Sequence, residues 1–240
     1  MTLAANNVSL GERLHNITCA LRPGEITAIC GPNGAGKSSL LQALAGLLPM
    51  DSGEVTLDGE PLAGHAQRAR RIGYLPQAPE IAWDVTVRSL VELGRIPHRD
   101  AASAPVEAAI EALDLKAFEH RRAQTLSGGE QARGLLARVL AGEPEWILAD
   151  EPLAALDLSH QHALIGHLRA SANEGRGVLV VLHDLAMARN HADRVLVLDQ
   201  GRLVADAAPS EALSVERIGE VWGVGTEWLG EEGKRALASV

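Results

Sequence analysis

Only two cysteines, Cys19 and Cys30, occur in the 240 residues of this chain. Both sit in apolar, strand-like runs without metal-ligand spacing. This argues against a disulfide framework or a cysteine metal site and predicts two reduced core thiols. No apolar run approaches the ~18–20 residues that a membrane-spanning helix needs. The longest clean runs, such as GVLVVL from Gly177 to Leu182, have the length of a strand. The opening MTLAANNVSL has neither the basic start nor the long apolar stretch of a secretory signal. Basic charge is not in excess. The formal net charge of −9 argues against a protein that grips the phosphate backbone of nucleic acid. There is no internal repeat, low-complexity tract or linker. The remaining composition, 46% hydrophobic and 22% charged, is that of a globular protein, expected in the cytoplasm, with one α/β domain or a core carrying a subdomain.

The most informative segment present is GPNGAGKS, Gly31 to Ser38. It fits G-x-x-x-x-G-K-[ST], a loop whose backbone N–H groups point inward around phosphates. Gly31, Gly34 and Gly36 let the chain turn and approach an anion without a Cβ in the way. Lys37 is expected to reach the β- and γ-phosphates, and the Ser38 hydroxyl suits Mg²⁺. The apolar run Ile26 to Cys30 reads as the strand before the loop, and SSLLQALAGLL as the helix after it. Pro32, Asn33, Ala35 and Ser39 complete the expected nucleotide-binding set.

Two further segments carry chemistry. WILAD, Trp146 to Asp150, reads as a strand followed by Glu151, so Asp150 can support Mg²⁺ while Glu151 orients and deprotonates water. LSGGE, Leu126 to Glu130, precedes a helical run. Ser127, Gly128 and Gly129 then form a helix N-terminus, a second anion site, although a simple capped helix start has the same pattern. Elsewhere, Asp58-Gly59 after EVTL signals a hairpin. The stretch from about 86 to 140 has helical spacing, interrupted by Pro97 and Pro105. WILAD, GVLVVL and RVLVLD (Arg194 to Asp199) are apolar strands separated by helical patterns, which predicts a parallel sheet.

In order and separation, GPNGAGKS, Gln77 in YLPQ, LSGGE, ILADEP, LAALD (Leu153 to Asp157) and His183 in LHDL resemble the ATP-binding cassette of ABC transporters over nearly the whole chain. The resemblance implies a P-loop NTPase core with a mostly parallel sheet, an N-terminal antiparallel β region and an inserted helical subdomain. The core would cover about 1–85 and 141–240, and the helical part about 86–140. It implies ATP and Mg²⁺, and catalysis by Glu151, His183 and Lys37. Ser38, Gln77 and Asp150 serve the metal, and His183 contacts the γ-phosphate. It also implies a head-to-tail homodimer in which Ser127, Gly128 and Gly129 reach the partner's nucleotide and Asp157 couples the two sites.

The family usually stacks an aromatic residue on adenine near the N-terminus. NVSLGERLHN holds none, which leaves Leu10 or Arg13 for the base. Ala149, Leu153 and Ala154 also depart from the family pattern.

ELGRIPH (Glu92 to His98), LDLSHQ and the tail GTEWLGEEGKRALASV resemble cassettes of importers for ferric siderophores, haem and vitamin B12. That implies a subunit on the cytoplasmic face of the cell membrane, bound to permease subunits and served by a periplasmic binding protein, with no nucleic-acid partner. Residues Ala78 to Val87, with Trp83, are the expected permease groove. The competing readings are a cassette ATPase acting on nucleic acid or ribosomes, and a nucleotide-regulated interaction protein without turnover.

Overall fold

The computed structural model describes residues 2–62, 64–77, 84–100, 102–154 and 156–240. The chain opens with an antiparallel pair, β1 (Leu3–Leu10) and β2 (Leu14–Leu21). In β1 buried residues largely alternate with more exposed ones, as expected of a sheet with one covered face. β3 (Ile26–Cys30) is buried at every position and leads into the phosphate loop and α1 (Lys37–Leu44). β4 (Ser52–Leu57) and β5 (Glu60–Pro61) form the expected hairpin. Its two turn residues, Asp58 and Gly59, both have positive φ, the geometry that joins twisted strands tightly. α2 (His65–Arg71) follows, a short helix that periodicity did not reveal, and then β6 (Ile72–Leu75).

From 87 the chain is helical. α3 (Val87–Glu92) runs into a 3₁₀ turn, Leu93–His98, followed by α4 (Ser103–Ala112) and α5 (Gly128–Ala141). Pro97 lies inside the 3₁₀ turn, but Pro105 interrupts nothing. It is the third residue of α4, where a missing N–H leaves no intrahelical bond unmade.

The remaining elements are β7 (Trp146–Ala149), α6 (Leu158–Asn173), β8 (Gly177–Val181), α7 (Leu185–His191) and β9 (Arg194–Asp199), then β10 (Arg202–Ala207), α8 (Pro209–Ala212), α9 (Val215–Trp222), β11 (Thr226–Leu229) and β12 (Ala236–Ser239). Three more strands follow RVLVLD. β10 returns antiparallel to β9, and the tail forms its own β11–β12 hairpin.

The six-stranded sheet has the order β10-β9-β3-β8-β7-β6, with β9, β3, β8, β7 and β6 mutually parallel. Its inner strands are buried on both faces, hence the unbroken apolar runs. The four-stranded sheet, β2-β1-β4-β5, packs over α1 and one face of the large sheet through Leu3, Ile17, Leu40, Leu44 and Trp146. The opposite face packs against the helices through Ile110, Leu136, Leu164 and Leu168. Cys19 and Cys30 are free and buried. Among the described residues no helix is long and apolar enough to cross a membrane.

The GRIPH segment docks the 3₁₀ turn onto the end of α5. A Cβ on Gly94 would overlap the Arg138 carbonyl. The Arg95 side chain is 8% exposed and bonds Asp100, Glu143 and the Ala141 carbonyl, while His98 Nε2 lies 2.9 Å from the Gly142 carbonyl. Gly94→Ala is expected to destabilise the chain by about 1–3 kcal/mol through overpacking. Arg95→Ala should cost about 1–3 kcal/mol, because it leaves the buried Ala141 carbonyl without its donor, while Asp100 and Glu143 are exposed enough to be rehydrated. Denaturant midpoints of both variants provide the measurement.

Candidate functional site

The phosphate loop spans the gap between β3 and α1, and its form is imposed by close backbone approach. Gly31 and Gly36 have positive φ, and a Cβ on either would overlap a carbonyl oxygen, that of Leu198 or of Arg13. Gly201, in the turn between β9 and β10, donates its N–H to the Ala35 carbonyl at 3.1 Å and props the loop from outside. Gly34, by contrast, faces open space. A cavity of 270 Å³ lies over the loop, lined by Arg13, Asn33, Gly34, Ala35, Gly36, Lys37, Ser38, Ser39 and Glu151. Gly31 and Pro32 contribute carbonyls instead, each accepting a 2.9 Å hydrogen bond from Lys37 Nζ. Burial depresses the Lys37 pKa, opposed by Glu151, Cys30 and Asp150. An anion entering the loop restores the partner that the buried ammonium lacks.

Asp150 follows β7, and its N–H is fixed at 2.8 Å to the Leu75 carbonyl. Its carboxylate is 2.9 Å from the donating Ser38 hydroxyl and 3.4 Å from the Tyr74 hydroxyl, which itself accepts from Gln42. Burial pushes the Asp150 carboxyl above the usual carboxylate range, against the hydrogen bond from Ser38. A buried carboxylate short of positive charge, next to a hydroxyl on a phosphate loop, fits a small hard cation such as Mg²⁺. No short-range pattern in YLPQ points to a role for Tyr74. Its contact with Asp150 depends on β6 and β7 being neighbours.

Glu151 adopts a left-handed backbone, φ 49°, a conformation that few non-glycine residues take outside functional turns. Both its oxygens are engaged. Gln77 Nε2 donates to Oε2 at 2.5 Å, and His183 Nε2 lies 2.5 Å from Oε1. Three residues from three segments therefore meet at one carboxylate. In this arrangement Gln77 and His183 contact Glu151 directly. A carboxylate held by two flanking groups at the mouth of a phosphate cavity can accept a proton from water.

Ser127, Gly128, Gly129 and Asp157 lie outside the lining of that cavity. Ser127 caps α5 in a reciprocal box, donating its N–H to Glu130 Oε2 at 2.7 Å and accepting from the Glu130 N–H at 3.4 Å. Ser127 and Gly128 are exposed, whereas Gly129 is buried. Asp157 caps α6. The two glycine-bearing helix starts, at α1 and α5, are thus separate, and only the first lines the cavity that Glu151 faces.

Residues 14–154 match the ABC transporter family. The chain belongs to it. This cassette is 45% identical over 225 residues to the hemin import ATP-binding protein HmuV of Pseudomonas putida, covering 89% of this chain and 88% of that protein. It is 43% identical to the HmuV of Myxococcus xanthus, with 93% and 90% covered. Among solved structures, a metal-chelate type ABC transporter in an inward-facing conformation superposes with TM-score 0.84 at 23% identity, over 100% of this chain and 96% of that one, which shows the shared fold. CbiO1 of Clostridium perfringens, part of the transporter complex cbiONQ, has TM-score 0.80 at 25% identity, with 91% and 92% covered. The cassette is an ATPase whose turnover drives transport.

Two of the three departures from the family pattern sit in packed positions. Ala149 is fully buried in β7, and Leu153 is 8% exposed within the helical core. Leu10 is only 6% exposed and packs between the sheets, so it offers no face to a base. Of the two residues named for that role, Arg13 alone lines the cavity.

Glu151→Gln should keep ATP binding, since an amide can still meet both Gln77 and His183, and lower turnover by about 10²–10⁴-fold by removing the base. Single-turnover hydrolysis alongside nucleotide binding separates the two effects. A guanidinium plane accepts either purine, so the preference for ATP over GTP is expected to stay below about tenfold, roughly 1.4 kcal/mol. Affinities of both nucleotides for the wild-type cassette check this, and Arg13→Ala should weaken both alike.

Proposed function

We propose that this chain is the ATP-hydrolysing subunit of an importer that carries haem. The observation behind this reading is the run of relatives named hemin import ATP-binding protein, 45%, 43% and 41% identical, aligned over 89%, 93% and 93% of this chain. The GRIPH segment is a weaker pointer to the importer class, because Gly94, Arg95 and His98 all have packing roles.

In this reading the loop amides and Lys37 bind the ATP phosphates. Ser38, Gln77 and Asp150 hold Mg²⁺, which supplies charge neutralisation at the phosphates. Glu151 takes a proton from the attacking water, and Gln77 and His183 keep its carboxylate aimed until His183 turns to the γ-phosphate. Two copies pair head to tail, so that Ser127, Gly128 and Gly129 of one serve the ATP held by the other, and Asp157 links the two sites. The separation of the two glycine-bearing helix starts within one chain supports this pairing.

Closure of the pair is passed to permease subunits in the membrane, against whose cytoplasmic face the cassette lies. A binding protein delivers the cargo from the other side. Residues 78–83 of the expected permease groove, including Trp83, fall outside the described residues. Among the described residues, a 350 Å³ groove is lined in part by Tyr74, Ile96, Pro97, Arg138 and Val139. Ile96 is 65% exposed there, and Arg138 has no ion-pair partner among the described residues, so an apolar permease helix bearing a carboxylate fits it.

Reconstitution of the cassette with its genomic-neighbour permease and binding protein in vesicles is the test. ATP-dependent uptake of haem that stops with Glu151→Gln is expected. Uptake of cobalamin or a ferric siderophore with no haem uptake would overturn the cargo and leave the importer standing.

A further inference from the structure

His160 lies where the two halves of the chemistry meet within one chain. It is the third residue of α6, one turn past the Asp157 cap. Its Nδ1 is 2.7 Å from Asp157 Oδ1, and the same oxygen accepts the His160 N–H and the Ser159 hydroxyl, each at 2.9 Å. These donors, the backbone N–H foremost, pull the Asp157 carboxyl down to about 2, so the acceptor stays ionised and the ring orientation stays fixed. The rest of the ring lies against the signature loop, the segment Leu126 to Glu130 that starts α5. A Cβ on Gly129 would overlap Cδ2, Cγ and Nε2 of His160. The side chain is still 35% exposed, so these two contacts set its position more than burial does.

The neighbouring residue extends the tie. Gln161 Nε2 donates to the carbonyls of Leu153 and Leu156, at 3.3 and 3.1 Å, in the turn that leaves Glu151. The first turn of α6 therefore grips the loop after the catalytic carboxylate with one side chain and Gly129 with the other. Ser127 with Glu130, and Gln131 Nε2 with the Leu126 carbonyl, tie the same loop to α5, and the Leu126 N–H bonds the Ala123 carbonyl just before it. They hold the loop to its helix, not to Glu151.

We propose that His160 is a positioning residue that locks the signature loop to the loop following Glu151 in the same chain. The half-site a cassette lends to its partner's ATP then moves with the half-site that hydrolyses its own. This rests on the head-to-tail reading above. In such a dimer the lock links the two ATP molecules through each protomer as well as across the interface. The coupling needs both contacts: Asp157 fixes the ring, and the ring fixes Gly129.

The experiment uses the full-length cassette in two backgrounds. In Glu151→Gln, ATP-driven dimerisation is followed by analytical ultracentrifugation. With Glu151 intact, the Hill coefficient for ATP is read from steady-state hydrolysis. His160→Ala should raise the dimer dissociation constant about tenfold and bring the Hill coefficient towards unity, with nucleotide affinity of the monomer and Tm unchanged. His160→Asn, which keeps a donor for Asp157 but no ring, and His160→Phe, which keeps a ring but no donor, should each restore only part of the loss. Absence of any ATP-dependent dimer in Glu151→Gln would overturn the head-to-tail reading, and the lock with it. A normal dimer whose stability and cooperativity ignore His160→Ala would overturn the lock alone. So would a fall in Tm and monomer nucleotide affinity that parallels the loss of activity, since that marks a merely structural residue.

Discussion

The phosphate loop can form only because the backbone passes close to itself at two glycines. Gly31 sits against the Leu198 carbonyl and Gly36 against that of Arg13, so the loop is wedged between the start of β2 and the end of β9. Lys37 then turns back onto the Gly31 and Pro32 carbonyls and closes the ring from inside. Much else follows from that wedge. It sets where α1 begins, which sets where Ser38 meets Asp150, and Asp150 in turn carries Glu151 to the mouth of the cavity. A phosphate loop made of backbone is stiff, and the Glu151 carboxylate inherits its position from that stiffness.

The residues that approach the loop come from separate crossovers. Gln77 follows β6, Glu151 follows β7 and His183 follows β8, all at the carboxyl ends of adjacent parallel strands. This is where an open α/β sheet gathers its chemistry, since each crossover must leave the sheet at that edge. Sheet order, more than sequence separation, brings an amide, a carboxylate and an imidazole onto one another.

What could be read in the sequence was what short-range chemistry decides. A glycine loop between an apolar strand and a helix, an Asp-Gly turn and a Ser-x-x-Glu helix start each declare themselves within a few residues, and the fold contains all three. The rest depends on distant partners. Arg95 reads as a surface charge until Glu143, 48 residues away, and the Ala141 carbonyl surround it. Tyr74 and His160 acquire their contacts only when β6 lies beside β7 and α6 beside α5. Pro105 looked like a breaker because its place within the helix was not known. The β11–β12 hairpin was missed because its strands are half exposed and lack an apolar run.

Helix α5 has the signature loop at its start and the docked 3₁₀ turn at its end. Its 14 residues, at about 1.5 Å each, make a strut on the order of 21 Å long, clasped at its far end by Arg95 and His98. The far end, with Arg138, Val139 and Gly142, borders the exposed groove beside Ile96. Such a strut cannot shorten, and the Arg95 and His98 clasp leaves it little freedom to slide. A tilt imposed at the groove must therefore emerge as sideways travel of Ser127. The helix is a lever whose stroke is set by its length, and the clasp at one end serves as its fulcrum.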